Sequence, residues 1–143
     1  MIRRCLTTGP ILLAALALAA CASPPDDALG GPGLPQQLPG ERYPGERQQL
    51  AGNLELLENG CVNVVIDGVS RLVIWPAGSD LGDPVTLPDG TPLAAGDAVS
   101  GAGAVIPVNA LPGGPDGYWG SVTGFCDSQP REVVVFDEVG PNR

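Results

Sequence analysis

The chain has 143 residues, with 16 acidic side chains against 7 arginines, no lysine, no histidine and a formal net charge of −9. Such a surface repels phosphate backbones, which excludes nucleic-acid binding, and it offers no basic patch for anionic lipid. Without histidine neither a Ser-His-Asp nor a Cys-His nucleophile can be assembled, and without lysine Schiff-base and Ser-Lys chemistry fall as well.

Arg3 and Arg4, the apolar run from Pro10 to Ala20 and the small residues before Cys21 form the charged, apolar and cleavage regions of an export signal. The apolar run has 11 residues, whereas a spanning helix needs about 20. Residues 1–20 are therefore read as a leader that is removed, taking Cys5 with it. Leu18-Ala19-Ala20-Cys21 resembles the lipobox of bacterial lipoprotein precursors, a likeness confined to the first 21 residues. It implies a diacylglycerol on Cys21, cleavage before that residue, and a place on the extracytoplasmic face of the cell membrane. Two acyl chains hold a protein firmly where one binds only marginally. The alternative is an ordinary secretory peptide cut after Ala20, with Cys21 left free.

From Ala22 to Gln49, 11 of 28 residues are Gly or Pro, and the apolar side chains follow neither helical nor strand periodicity. Residues 21–49 are expected to be a lipidated, disordered tether, extending at about 3.1 Å per residue in its proline-rich parts. Asp26 and Asp27, close to the anchor, favour standing off from anionic headgroups.

A compact domain is expected over 50–139, with a flexible tail at 140–143. Leu54-Glu55-Leu56 begins an alternating strand, and Asn59-Gly60 signals a tight hairpin turn. Cys61 to Ile66 reads as a second strand, Asp67-Gly68 as a second turn, and Val69 to Trp75 as a third strand stopped by Pro76. Irregular turns follow as far as Gly96-Asp97. Ala98 to Asn109 reads as one strand bent at Gly101 or Gly103, Tyr118 to Cys126 as another, and Arg131 to Val139 as the last.

Six or seven short strands and no sustained 3.6-residue repeat predict an all-β fold. The short turns and the bent glycine-rich strand favour a small antiparallel β-barrel over a small sandwich. Two cysteines remain for the domain, Cys61 and Cys126, and outside the cytoplasm an even pair is expected to be oxidised. Their bond would close a loop of about 65 residues, worth roughly 4 kcal/mol on a chain-entropy estimate. The Asn59-Gly60-Cys61 turn, the Trp75-Pro76 strand exit, the Gly96-Asp97 turn and Cys126 also resemble small extracellular β-barrel lipoproteins of actinobacteria, uncharacterised in role. The domain also resembles an OB-like barrel, although the helix that usually joins the third and fourth strands of that fold is not evident in this sequence.

No catalytic residues are assigned. A carboxylate pair for glycoside hydrolysis is the remaining enzymatic option, in a domain with little room for a sugar cleft. For metal, the weak candidates are Asp80, Asp83 and Asp89, whose irregular segment could offer oxygen ligands to calcium; their spacing is not that of an EF-hand. Trp75, Tyr118 and Trp119 are the candidate contact residues, one of the adjacent pair facing out if the segment is a strand. The expected function is a non-catalytic, membrane-anchored interaction module whose partner is an envelope protein or wall polymer. The rival is a lipoprotein binding a small ligand or calcium.

Overall fold

The computed structural model describes residues 35–38, 40–41, 43–80, 82, 84–126 and 131–143. The expected leader, Cys21 and the first part of the tether lie outside the described residues. Seven strands are present: β1 (Gln48–Leu56), β2 (Val62–Ile66), β3 (Val69–Ile74), β4 (Val85–Thr86), β5 (Pro92–Leu93), β6 (Ala98–Pro107) and β7 (Glu132–Pro141). One α-helix, α1 (Tyr118–Phe125), lies between β6 and β7.

Five strands close into a barrel in the order β1-β2-β3-β7-β6, with β6 returning to β1. The β1-β2-β3 meander follows the two expected turns. At the second, Asp67 takes the left-handed conformation (φ 52°) ahead of Gly68, the geometry that lets a two-residue turn match strand twist. The expected all-antiparallel pairing is corrected at one place: β3 and β7 run parallel over Leu72–Ile74 and Val133–Val135. An odd number of strands cannot close with every neighbour antiparallel, so one parallel pair is unavoidable. The resulting order is the Greek-key order of an OB-type barrel.

At Gly101, in β6, a Cβ would collide with the backbone carbonyl of Glu138, and at Gly103 with that of Val135. The register of β6 against β7 shifts between Ala102 and Gly103. The missing side chains let the strand bend and approach its neighbour closely enough to complete the barrel.

Hydrophobic residues form two clusters, one on each side of the wall. Inside lie Leu54, Val64, Val73, Trp75, Val134 and Phe136, joined by Val85, Leu87 and Leu93 of the β4–β5 hairpin segment. That hairpin occupies the connection where an OB barrel usually carries its helix. Outside lie Leu72, Ile74, Ile106, Val133 and Val135, covered by Tyr43, Leu111, Trp119 and Cys126. Strands β3 and β7 are therefore buried on both faces, and their sequences Leu72-Val73-Ile74-Trp75 and Val133-Val134-Val135-Phe136 are continuously apolar.

Two expected boundaries move. The described fold already includes Pro35–Gln37, ahead of the expected start near Leu50. Beyond Ile74, where the β3–β7 ladder ends, Gln36 pairs in parallel with Trp75. The Trp75 N–H donates to the Pro35 carbonyl at 2.8 Å, the Gln37 N–H to the Trp75 carbonyl at 2.9 Å, and Gln37 Nε2 to the Phe136 carbonyl at 2.6 Å. A segment with too few apolar side chains to fold alone thus takes its order from strands already built. At the other end β7 continues to Pro141, whose partner is Val99, so the tail expected at 140–143 is partly strand.

Candidate functional site

The segment expected as a strand over Tyr118–Cys126 is a helix, and the reason is tertiary. Its sequence, YWGSVTGF, has two glycines, and Gly117 at its N-terminus supplies no capping side chain. A helix this short and weakly formed does not persist in isolation. What holds it is one buried stripe, Trp119, Thr123 and Cys126, at the i, i+4, i+7 spacing of a helical face. Trp119 is 1% exposed and packs edge-on against Tyr43, with ring centroids 6.0 Å apart. Thr123 Oγ1 donates to the Trp119 carbonyl at 2.8 Å, so its hydroxyl is satisfied within the helix. Gly120 allows the close seat: a Cβ there would collide with the Pro115 backbone.

The C-terminal end of α1 is fastened to the β1–β2 turn. Cys126 forms a disulfide with Cys61, the residue just before β2. Asn59 Nδ2 donates to the Phe125 carbonyl at 2.7 Å, while Asn59 Oδ1 accepts the Cys61 N–H at 3.1 Å. Asn63 Nδ2 donates to the Cys126 carbonyl at 3.3 Å and to Ser70 Oγ at 3.0 Å, and Ser70 in turn donates to Glu55 Oε2 at 2.6 Å. One covalent bond and two side-chain amides therefore fix this end of the helix.

On the adjoining face of α1, Tyr118, Val122 and Phe125 form a second i, i+4, i+7 stripe, in which Val122 packs in part against the outer cluster and the rings at the two ends stay exposed. Phe125 is 65% exposed, Tyr118 41%, and Val122 half-buried. Tyr118 lies against Trp119 at 4.8 Å between ring centroids, and partial burial raises its phenol pKa. Behind it, burial and a hydrogen bond donated at 2.6 Å to Glu41 raise the Tyr43 phenol well above its ordinary range. The stripe is a fixed apolar and aromatic surface, suited to contact.

The expected contact residues divide accordingly. Tyr118 is exposed. Trp75 and Trp119 are not surface residues: Trp75 sits inside the barrel and Trp119 under the helix, both without an exposed face. The alternation assumed for a strand placed one of the adjacent pair outward, whereas helical spacing turns Trp119 inward and carries Phe125 out. Phe125 was missed; the signal that finds it is the paired spacing of 119/123/126 and 118/122/125.

Of the metal candidates, Asp80 is exposed and pairs with Thr86 through its backbone. Asp89 accepts the Thr91 N–H at 2.8 Å, a turn contact that lowers its carboxyl pKa. Asp83 lies outside the described residues. Among the described residues no group of three or more His, Cys, Asp or Glu side chains is placed to hold a metal ion. The described side chains around a small pocket between Leu54, Leu56 and Val62 of the barrel and Val85 and Leu93 of the hairpin are all apolar. Two buried side-chain polar atoms lack a partner among the described residues, Asn63 Oδ1 and Trp75 Nε1. They belong to opposite faces of the wall and do not converge on one site. No helix among the described residues is long and apolar enough to cross a membrane. In comparison with known proteins, no family model, curated protein or solved structure matches the chain.

Proposed function

We propose that the protein is a lipid-anchored, extracytoplasmic interaction domain that acts by contact and not by catalysis. The observation that carries this reading is the pair of exposed rings Tyr118 and Phe125, presented on a helix whose end is locked by Cys61–Cys126 and Asn59. An aromatic side chain on a backbone that is fixed before binding costs less entropy to cover than one on a mobile loop, and a few such residues can dominate an interface. The lipobox-like segment ending at Cys21 supports the anchor, and an oxidising location suits the disulfide.

The anchor and the fold together limit where the domain works. Pro35 is joined to Cys21 by a stretch of about 14 residues, which spans at most about 50 Å even when fully extended. The partner then belongs to the layer next to the membrane: an envelope protein, or a wall polymer that reaches that layer.

Two experiments test the reading. Cys21→Ser should abolish incorporation of labelled lipid; unchanged labelling removes the anchor. Capture from envelope extract by the wild-type domain and by Phe125→Ala should differ in at least one partner. Identical recovery of every captured component removes the contact surface.

A further inference from the structure

We infer that the partner of the α1 stripe is a cationic amphipathic protein segment, with apolar side chains for Tyr118, Val122 and Phe125 and Lys or Arg on either side of them. This rests on the contact function proposed above and adds the chemistry of the partner.

Acidic residues precede the helix in the chain and lie next to the turn to which its end is fastened. The helix itself, Tyr118 to Phe125, carries no charged residue. Ahead of it Asp116, exposed, ends the 3-10 turn Gly114–Asp116 that leads into α1. Beyond it Glu58, also exposed, precedes Asn59, whose side chain bonds the Phe125 carbonyl. Glu55 follows along the same route, through Ser70 and Asn63 to Cys126. The helix dipole adds partial negative charge at the Phe125 end.

Of the described arginines, Arg47 and Arg71 are engaged elsewhere by Asp137 and Glu132, while Arg131 and Arg143 are exposed near the two ends of β7. Tyr118 and Phe125 are seven residues apart, about 10 Å along a helix. An apolar strip of that length, preceded by an acid and fastened at its far end to a turn that carries another, fits a short apolar segment flanked by bases. The chain's net charge of −9 would also speed the encounter with such a partner and slow it with an acidic one.

The test uses the protein lacking residues 1–21, which keeps every described residue of both hydrophobic clusters. The probe is a fluorescent 18-residue amphipathic Leu/Lys peptide, with a Leu/Gln peptide of the same pattern as the neutral control, and binding is read by anisotropy across a salt series. The cationic peptide should bind more tightly than the neutral one. Phe125→Ser should weaken it by about tenfold or more, and Glu58→Gln with Asp116→Asn should weaken it severalfold at low salt and flatten the salt dependence. Near-ultraviolet dichroism checks that each variant keeps its fold.

Equal binding of both peptides, with each lost in Phe125→Ser, overturns the cationic partner and leaves the contact surface standing. Cationic binding indifferent to Phe125→Ser is attraction to a diffuse acidic surface, and overturns the inference. Failure of the cationic peptide to bind overturns it as well, while the capture experiment with Phe125→Ala still decides the contact function separately.

Discussion

Asn59 and Phe125 lie 66 residues apart, yet the Asn59 side chain bridges the β1–β2 turn and the end of α1. Its amide N–H donates to the Phe125 carbonyl while its amide oxygen accepts the Cys61 N–H. One exposed side chain thus shapes the turn and holds the residue that presents the main aromatic surface.

The two halves of that amide can be separated. Asn59→Asp keeps an acceptor for Cys61 but has no N–H for Phe125, whereas Asn59→Ala loses both. Each neutral hydrogen bond contributes about 0.5–1.5 kcal/mol net, so Asn59→Ala should destabilise by about 1–2 kcal/mol, and Asn59→Asp, which sets a carboxylate oxygen against the Phe125 carbonyl at the negative end of the helix dipole, by at least as much. Urea unfolding gives the two values. Equal stability of wild type and Asn59→Ala would mean that neither bond matters in solution.

The disulfide should protect α1 more than the barrel. Cys61→Ala/Cys126→Ala is expected to cost about 2–5 kcal/mol. In hydrogen exchange the amides of Ser121 and Cys126, which bond to Gly117 and Val122, should become labile before those of β3 and β7. The barrel ladder closes without the helix, but the helix has little propensity of its own. Uniform loss of protection would show that helix and barrel fold as one unit.

What could be read from sequence follows from where each segment gets its order. The β1-β2-β3 meander was legible because Asn59-Gly60 and Asp67-Gly68 specify their turns locally. The bend in β6 was legible because Gly101 and Gly103 have little other use. The helix was not, because valine, threonine and aromatic residues favour a strand and two glycines weaken a helix, and only the barrel wall and Cys61 reverse that preference. Pro35–Gln37 was read as tether for the same reason: its hydrogen bonds go to Trp75 and Phe136, far away in the chain. The doubly apolar runs in β3 and β7 were the sequence's one sign that something must cover the outer face.

Trp119 and Phe125 should respond in opposite ways to truncation. Trp119→Ala opens a cavity between α1, Tyr43 and the wall and should cost about 3–5 kcal/mol. Phe125→Ala removes an exposed ring and should change stability by no more than about 0.5 kcal/mol. Thermal or urea unfolding of the two variants checks this. A large loss for Phe125→Ala would place that ring in the fold and withdraw it from the contact surface.

Alkaline pH should unfold the protein through its tyrosines. The phenol pKa values of Tyr43 and Tyr118 are both raised, Tyr43 mainly by burial and then by its bond to Glu41, and Tyr118 by burial. A group whose folded pKa exceeds its unfolded value contributes stability that is complete below the unfolded value, about 10 for tyrosine. That contribution falls as pH rises above 10 toward the folded pKa, because only the unfolded chain releases the proton readily. Phenolate absorbance should therefore lag behind that of free tyrosine and rise together with loss of near-ultraviolet dichroism. Ionisation of Tyr43 at ordinary pH with the fold intact would contradict its burial against Trp119.

The start of the folded chain can be located by truncation. Removing everything before Tyr43 takes away Pro35–Gln37 and leaves the Trp75 N–H, the Trp75 carbonyl and the Phe136 carbonyl without the partners they now have. At about 0.5–1.5 kcal/mol per bond, that deletion should cost about 2–4 kcal/mol relative to a chain beginning at Pro35. Gln37→Ala removes only the side-chain bond to Phe136 and should cost about a third as much. If the chain beginning at Tyr43 were as stable as the longer one, Pro35–Gln37 would belong to the tether after all. The reach from Cys21 would then exceed the 50 Å or so that about 14 residues permit, and the partner could lie farther from the membrane.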